Sequence, residues 1–320
     1  MKTAVIIGIS GQDGYYLTEL LLKYKYKVIG LTRDIQKAKN SLSNLSLMNV
    51  VLLQWDLKDE NFFEDVLRKY KVDQIYNFAA FTSGTGMFDN VIEMAEINGF
   101  AITKILEAIR KVDCKIRFCQ ASSSYVFGYA NQSPQNEKSL VSPRNPYAAA
   151  KSYADSMVKI YRHQYNIFAC SAILYNHESP LRSLDFVSRK VTCTASKIKL
   201  GLENKLVIGN LNSKRDWGYA SDYVKAMYLM LQSSNADDYV IATGELHSVK
   251  DLCEIAFNYL DLDYRDFVFE DDTYFRPNEP LEFFGDAGKA KKILNWQPSI
   301  DFKQLIHIMV DNDLKLLKIG

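Results

Sequence analysis

A glycine-rich turn near the start of the chain constrains its fold more than any other feature. The sequence Gly8-Ile-Ser-Gly-Gln-Asp-Gly14 follows an apolar run at residues 4–7 and precedes a helical pattern that begins at Tyr16. A strand, a tight glycine turn and a helix in this order are typical of a dinucleotide-binding unit, in which the pyrophosphate lies at the helix N-terminus. We therefore predict that this turn binds a dinucleotide through Gly8, Ser10, Gly11, Gln12, Asp13 and Gly14.

Short apolar runs alternate with helical patterns over the first half of the chain. The predicted strands are residues 4–7, 27–31, 50–54, 74–78, 116–119 and 169–174. The predicted helices between them are residues 17–23, 62–70, 95–110 and 148–165. This alternation predicts an α/β fold with a Rossmann-type, doubly wound parallel sheet. Residues 34–49 lack clean periodicity, which predicts a surface loop.

The pattern changes after residue 175, where polar loops separate shorter elements. We predict an NAD(P)-binding Rossmann domain at residues 1–175. A smaller α/β substrate-binding lobe is predicted at residues 176–320, with room for the chain to re-enter the sheet near residues 208–245.

The charge balance excludes several classes of partner. The 320 residues include 39 Lys and Arg against 38 Asp and Glu, so no bulk field attracts nucleic acid or a membrane surface. No apolar run is long enough to span a bilayer.

The five cysteines form no Cys-x-x-Cys pair and the four histidines show no metal-ligand spacing, so we expect free thiols and no metal. The predicted strand at the N-terminus leaves no room for a signal peptide, and we expect a cytoplasmic protein.

Tyr147 and Lys151 form the most informative pair of polar residues. They are four residues apart on a predicted helix and therefore share one face. The lysine charge is expected to lower the tyrosine pKa from about 10 towards working pH. A phenol in this state can exchange a proton with an alcohol or a ketone. With the glycine turn, the pair predicts hydride transfer at a carbon that bears oxygen.

Residues after the other predicted strands should contact the cofactor. Arg33 suits the 2′-phosphate of NADP, whereas Asp34 suits the 2′-hydroxyl of NAD. We expect NADP and leave NAD open. Further along the chain, the residues expected beside the adenine and along the cofactor are Asp56, Leu57, Ala79 and Ala80.

The second lobe carries many cations in its loops. Arginine forks bind phosphate oxygens in pairs, so a substrate diphosphate would explain this density of charge. The residues concerned are Arg182, Arg189, Lys190, Lys214, Arg215 and Arg276.

These motifs together resemble the extended short-chain dehydrogenase/reductases that act on nucleotide sugars. Within that group the chain is most similar to the GDP-mannose 4,6-dehydratase family. The stretches that carry the resemblance include Asn176-His-Glu-Ser-Pro180, Lys214-Arg-Asp-Trp-Gly218 and Arg276-Pro-Asn-Glu279.

The resemblance implies a role for each matching residue. Tyr147 would be the acid and base, and Lys151 would hold the nicotinamide ribose. The hydroxyl of Ser123 would bond the substrate oxygen. The GDP part of the substrate would be held by Asn176, Glu178, Lys190, Arg215, Arg276 and Glu279. Relatives pair the helices at residues 95–110 and 148–165 across a two-fold axis, so a homodimer or homotetramer is expected.

One departure from the family lies where the sugar should react. The family has Ser-Thr-Ser-Glu after the fifth strand, but this chain has Ser122-Ser-Ser-Tyr125. A phenol is a poorer base than a carboxylate for taking the C5 proton of a sugar. Tyr125 therefore favours a GDP-4-keto-6-deoxyhexose reductase or C4 epimerase. A GDP-mannose 4,6-dehydratase, with Glu137 as a substitute base, is the alternative. A non-catalytic nucleotide-sugar-binding subunit is the second alternative.

Overall fold

A parallel sheet with helices on both faces organises the chain in the computed structural model, which describes residues 1–56, 59–81, 88, 90–130, 132–271, 273 and 283–319. In chain order the strands are β1 Thr3–Ile7, β2 Lys27–Thr32, β3 Val50–Gln54, β4 Gln74–Asn77, β5 Arg117–Ala121, β6 Ala169–Leu174, β7 Asn176–Glu178, β8 Leu206–Ile208, β9 Lys214–Arg215, β10 Trp217–Tyr219, β11 Tyr239–Ile241, β12 His247–Ser248 and β13 Val268–Glu270.

The helices follow the strands in the alternation that the sequence predicted. They are α1 Gln12–Lys23, α2 Ile35–Ser41, α3 Glu60–Tyr70, α4 Val91–Ala95, α5 Ala101–Val112, α6 Pro146–Tyr165, α7 Val187–Lys199, α8 Ala220–Met230, α9 Val249–Asn258, α10 Gly288–Leu294 and α11 Phe302–Ile319. Among the described residues, none of the helices has the length and apolar character needed to cross a bilayer.

The large sheet has seven strands in the order β3-β2-β1-β4-β5-β6-β11, all parallel. The chain reverses direction across the sheet between β1 and β4. In open sheets of this kind, ligands bind beyond the carboxyl ends of the strands at that reversal. The glycine turn follows β1 directly, so the predicted cofactor site lies at this point.

Helices bury both faces of the sheet, which explains why its strands are continuous apolar runs. Val5 and Ile7 of β1 lie in one core with residues of α3, α5 and α6. Ala4 and Ile6, the alternate residues of the same strand, lie in a second core with residues of α1 and α8.

The second half of the chain contributes to two cores. Helices α7, α9 and α11 pack around a separate apolar cluster that includes Val191, Phe257 and Met309. Three two-stranded sheets adjoin this cluster, and they pair β7 with β10, β8 with β13, and β9 with β12. In contrast, β11 joins the edge of the large sheet beside β6.

One prediction about local structure was wrong, and one predicted helix contains an irregular turn. The segment 34–49 contains helix α2, which begins because the Asp34 side chain accepts a hydrogen bond from the Lys37 backbone N–H at 2.9 Å. The predicted helix at 95–110 contains a π-helical turn, Glu96–Phe100, between α4 and α5. Within this turn the buried Asn98 side chain bonds the backbone N–H and C=O of Phe81 at 2.7 and 3.0 Å, so the turn holds the segment after β4.

Candidate active site

The glycine turn has the geometry that its sequence predicts. Gly8 has a φ of +84°, a conformation that side chains rarely adopt. A Cβ on Gly14 would lie 2.5 Å from the Ile9 carbonyl oxygen, so this glycine lets helix α1 pack directly on the turn. A Cβ on Gly11 would meet only the Gly8 carbonyl oxygen, at 3.5 Å. Protein packing therefore leaves room beside Gly11 for the close approach of a pyrophosphate, and the turn fits a dinucleotide.

A cavity of about 1380 Å³ extends from this turn along the carboxyl edge of the sheet. The predicted cofactor residues that line it are Gly8, Ser10, Gly11, Gln12, Asp13, Gly14, Arg33, Asp56, Ala79 and Ala80. Leu57, which was also predicted to contact the cofactor, lies outside the described residues.

The residues after β2 differ in their availability to a ligand. Arg33 and Lys37 line the cavity. The Asp34 carboxylate instead caps helix α2, so one of its oxygens already accepts a backbone hydrogen bond. The cavity wall at this position is therefore cationic.

A second cavity, of about 660 Å³, contains the predicted reactive residues. Its lining includes Ser123, Tyr125, Tyr147, Lys151, Asn176, Glu178, Lys190 and Arg215. The structure thus brings the two ends of the predicted substrate site together, because the proton-transfer residues and the cations line one cavity. Arg276 and Glu279 lie outside the described residues.

The two cavities share a wall. Asp13, Phe78, Ala80 and Arg182 line both of them. Arg182 belonged to the predicted cation group, but its place between the cavities was not evident from the sequence. A cofactor in the first cavity and a substrate in the second would meet at this wall.

The prediction that Lys151 lowers the pKa of Tyr147 was wrong for the isolated chain. Burial raises the pKa of Tyr147 to about 12, and the hydrogen bond with the Ser123 side chain opposes this only in part. The Lys151 Nζ lies 5.7 Å from the centre of the tyrosine ring and donates to the Ala121 carbonyl oxygen at 2.8 Å. Tyr147 is therefore a neutral phenol at working pH, ready to donate a proton.

Lys151 is itself perturbed by its surroundings. The side chain is buried, and burial lowers its pKa to about 8, although Asp155 counteracts this effect. Asp155 lies one turn further along α6 and accepts a hydrogen bond from the Ser122 hydroxyl. Sequence reasoning missed Asp155, although its four-residue spacing from Lys151 was a usable signal.

Ser123 and Tyr125 follow β5 in a single turn of 3₁₀ helix, Ser124–Phe127. The Ser123 hydroxyl caps this turn by accepting from the Tyr125 backbone N–H at 3.3 Å. The Tyr125 ring lies edge-on to the Tyr147 ring, with the ring centres 6.2 Å apart. Two phenols therefore adjoin in the lining of the second cavity.

The nearby carboxylates have structural partners. Glu178 is buried and accepts from the Ser188 hydroxyl at 2.5 Å, and it pairs with Arg182 at 3.1 Å. Glu137, considered as a substitute base, accepts from the Val240 backbone N–H at 2.8 Å and does not line the second cavity. This position disfavours Glu137 as the base. No cluster among the described residues could hold a metal ion.

Comparison with known proteins gives a consistent result. The family model described as GDP-mannose 4,6 dehydratase matches residues 5–309. GDP-mannose 4,6 dehydratase 1 of Arabidopsis thaliana is 41% identical, over 99% of this chain and 91% of that protein.

Two solved structures show the same fold at lower identity. The dTDP-glucose 4,6-dehydratase of Bacillus anthracis in complex with NAD has a TM-score of 0.85 and 20% identity, over 99% of this chain and 98% of that one. RMD from Pseudomonas aeruginosa complexed with NADPH has a TM-score of 0.82 and 21% identity, over 99% of both chains.

The fold, the glycine turn and these relatives define a nicotinamide-dependent enzyme of the short-chain dehydrogenase/reductase class that modifies nucleotide sugars. More particularly, the chain belongs to the GDP-mannose 4,6-dehydratase family.

Proposed function

We propose that this protein is a GDP-mannose 4,6-dehydratase. The observation that carries the proposal is the second cavity, which joins Tyr147, Lys151 and Ser123 to the cations Lys190 and Arg215. The near full-length similarity to the Arabidopsis enzyme favours this activity over the reductase or epimerase that Tyr125 led us to expect.

The reactive residues divide the work at C4 of the sugar. When bound, the nicotinamide supplies hydride acceptance and return. For oxidation at C4, Tyr147 must first release its own proton to solvent once the ligands are bound. The phenolate then takes the proton of the C4 hydroxyl as that hydride leaves, and the phenol so formed returns a proton when a C4 ketone is reduced. Ser123 bonds the same oxygen. Lys151 holds the end of β5 through the Ala121 carbonyl and keeps a positive charge near Tyr147.

The phosphates of the substrate bind at the other end of the cavity. We propose that Lys190 and Arg215 contact the diphosphate and that Asn176, Arg276 and Glu279 contact the remainder of the GDP. Glu178 supports this end indirectly, because its bonds to Ser188 and Arg182 join β7 to α7.

Elimination of water needs a group that takes the C5 proton and another that assists departure of the C6 hydroxyl. We propose that Tyr125 meets both needs, because its ring adjoins Tyr147 in the cavity. Its oxygen takes the C5 proton as its own proton passes to the C6 hydroxyl, so that water leaves and the phenol is restored. The same residue supports the second candidate, a C4 reductase or epimerase. A phenol is a weak base, and an enzyme that eliminates nothing needs no stronger one.

The experiment that separates the candidates is mass analysis of products from two substrates. We expect GDP-mannose to lose one water in the presence of NADP. If GDP-mannose keeps its water but GDP-4-keto-6-deoxymannose is reduced with NADPH, the dehydratase proposal is wrong and the reductase is correct.

A pair of variants tests Tyr125. In a dehydratase that uses its phenol, Tyr125→Phe should lower the rate of water loss by about 10²–10⁴. Tyr125→Glu should preserve or increase water loss. Equal rates in Tyr125→Phe and the unmodified protein would assign the elimination to another group.

We further propose NADP as the cofactor, because Arg33 and Lys37 line the cavity where a 2′-phosphate would lie, whereas Asp34 caps a helix. Binding of NADP and NAD, compared in the unmodified protein and in Arg33→Ala, tests this choice. Arg33→Ala should weaken NADP selectively.

We also keep two structural proposals. Residues 1–175 hold the cofactor and residues 176–320 hold most of the GDP sugar. The protein forms a homodimer or homotetramer through α5 and α6, as the resemblance implied.

A further inference from the structure

A polar network joins the glycine turn to the segment that lines the substrate cavity. The Gln12 side chain donates to the His177 carbonyl oxygen at 3.1 Å and accepts from the Ser179 hydroxyl at 2.7 Å. The His177 Nε2 lies 3.0 Å from an Asp13 carboxylate oxygen. Two adjacent residues of the cofactor turn are therefore fastened to residues more than 160 positions away.

The contacts of His177 define its protonation state. Its Nδ1 lies 2.8 Å from the Tyr175 carbonyl oxygen, which can only accept a hydrogen bond. Its Nε2 faces the Asp13 carboxylate, which also accepts. Both contacts are made together only when each ring nitrogen carries a proton, so the geometry favours the imidazolium form of the ring.

The electrostatic surroundings agree with this geometry. Burial opposes the charge and the nearby Arg182 repels it, but Asp13 attracts it, so the pKa of His177 is raised and that of Asp13 is lowered. The uncharged Tyr223 ring of α8 stacks on the imidazole, with the ring centres 4.9 Å apart. The positive charge is thus held between α1, α8 and the backbone after β6.

The fastened segment determines the shape of the substrate cavity. It forms β7, whose Asn176 and Glu178 line that cavity. Strand β7 pairs with β10 in the register Asn176 to Trp217, two residues beyond Arg215. A shift of His177 would therefore move both the Asn176 and the Arg215 sides of the predicted diphosphate site.

We propose that the His177 imidazolium and Asp13 couple the two cavities, so that cofactor binding at the glycine turn orders the substrate segment 175–179. His177 is a positioning residue in this scheme and touches neither reacting carbon. The inference rests on the proposed function for the identity of the substrate, but its main test needs only the cofactor.

The main test is amide hydrogen exchange of residues 175–179 with and without saturating NADPH. In the unmodified protein, NADPH should slow exchange of this segment about tenfold, a typical size for coupling between two sites. In His177→Gln the slowing should fall below about twofold. His307→Gln is the matched control, because His307 of α11 stacks on the exposed Tyr259 at the end of α9 and lines neither cavity. Equal slowing in His177→Gln and the unmodified protein would overturn the proposal.

A second measurement keeps the proposal testable if His177→Gln fails to fold. Nitrogen-15 shifts of the unmodified protein should show His177 with both ring nitrogens protonated at neutral pH. Because the pKa of His177 is raised, the ring keeps its charge and both N–H donors below that pKa, and it loses one donor and the ion pair with Asp13 as pH rises through it. The effect of NADPH on exchange should disappear over the same pH range. A neutral His177 at pH 7 would contradict the assignment.

The consequence for substrate binding is measured separately. Saturating NADPH should tighten GDP binding about fivefold or more in the unmodified protein, and this factor should approach one in His177→Gln. If the unmodified protein binds no GDP, the proposed function fails, whereas the exchange experiment still decides the role of His177. If His177→Gln weakens GDP binding by the same factor with and without NADPH, His177 has only a structural role and the proposed coupling is wrong.

Discussion

At the scale of single residues, burial shifts the pKa values of both members of the reactive pair, Tyr147 and Lys151. Tyr147 is a neutral phenol with a pKa of about 12. Lys151 has a pKa of about 8, so a small rise above neutral pH begins to remove its charge. Both shifts have the same cause, because a buried site disfavours charge. The pair therefore exchanges a proton readily only when a ligand completes its surroundings.

Tyr147→Phe tests the role of the phenol. The variant keeps the ring and its packing but removes the proton, so the rate of hydride transfer should fall by about 10²–10⁴. The measurement is single-turnover reduction of the nicotinamide by absorbance. Cofactor and GDP affinities serve as the control and should stay unchanged. A rate equal to that of the unmodified protein would remove Tyr147 from the mechanism.

Lys151 predicts a dependence of stability on pH. Its pKa is about 8 in the folded chain against 10.5 for an ordinary lysine, so between these values the unfolded chain binds more protons. Lys151 should therefore contribute a rise in the free energy of unfolding from about pH 8 towards 10, by roughly 1 kcal/mol per pH unit. Urea unfolding should show this rise as the difference between the unmodified protein and Lys151→Met, because buried thiols with raised pKa values, such as Cys170, oppose it equally in both.

Lys23→Met provides the control for this measurement. The Lys23 side chain is 66% exposed on α1, so its removal should leave the pH dependence intact. The same rise in Lys151→Met as in the unmodified protein would show that another group causes it.

At the scale of elements, short loops and strands of the second lobe place cationic side chains in the lining of the second cavity. Arg215 is in β9, which pairs with β12, and the next residue, Asp216, is buried. The Asp216 carboxylate accepts bonds from the backbone N–H groups of Thr243, Gly244 and Gly285. One buried carboxylate thus joins the Arg215 segment to two other stretches of chain, residues 243–244 and residue 285.

Arg215→Ala tests whether this element binds the diphosphate. Loss of a charge-assisted hydrogen bond should weaken GDP binding by about 1.5–3 kcal/mol. Calorimetric titration of GDP gives the dissociation constant directly. Lys214→Ala is the matched control, since Lys214 is the exposed neighbour in β9 and does not line the cavity. Similar losses in both variants would indicate a general effect of charge rather than a specific contact.

Elements coded by local sequence could be predicted, and those decided by distant contacts could not. The strand, glycine turn and helix at residues 3–23 were predictable because turn chemistry and periodicity lie in one stretch. Helix α2 was missed because it is short and depends on a single cap at Asp34. The pKa of Tyr147 was predicted in the wrong direction because burial depends on tertiary packing. The Asp13–His177 contact joins residues 164 positions apart, so no local sequence pattern could predict it.

At the scale of the whole molecule, the α5–α6 face retains apolar side chains in water. The apolar stripe of α5, which includes Ile102 and Ile105, is fully buried within the chain. The outer face nevertheless leaves Phe100, Tyr153 and Ile160 exposed by 55%, 37% and 52%. The Phe100 and Tyr153 rings also contact each other, with centres 5.3 Å apart. These outer residues, rather than the stripe, are the candidates for an interface.

Sedimentation tests the oligomer. At micromolar concentration the unmodified protein should sediment as a dimer or tetramer, and Ile160→Asp should shift it towards monomer because a charge would be buried at the interface. Leu202→Asp, at a 61% exposed position beyond α7, should leave the assembly unchanged. A monomeric unmodified protein would contradict the proposed pairing.

The wall common to the two cavities has a thermodynamic consequence. Ligands on either side of Asp13, Phe78, Ala80 and Arg182 lose their translational and rotational freedom on binding, before any bond changes. Bringing two free molecules into one reactive geometry can account for about 7–11 kcal/mol of a barrier. The effective molarity of each partner at the other therefore depends on how rigidly these four residues hold the adjoining cavities in position, and the rigidity of four side chains becomes a kinetic property of the reaction.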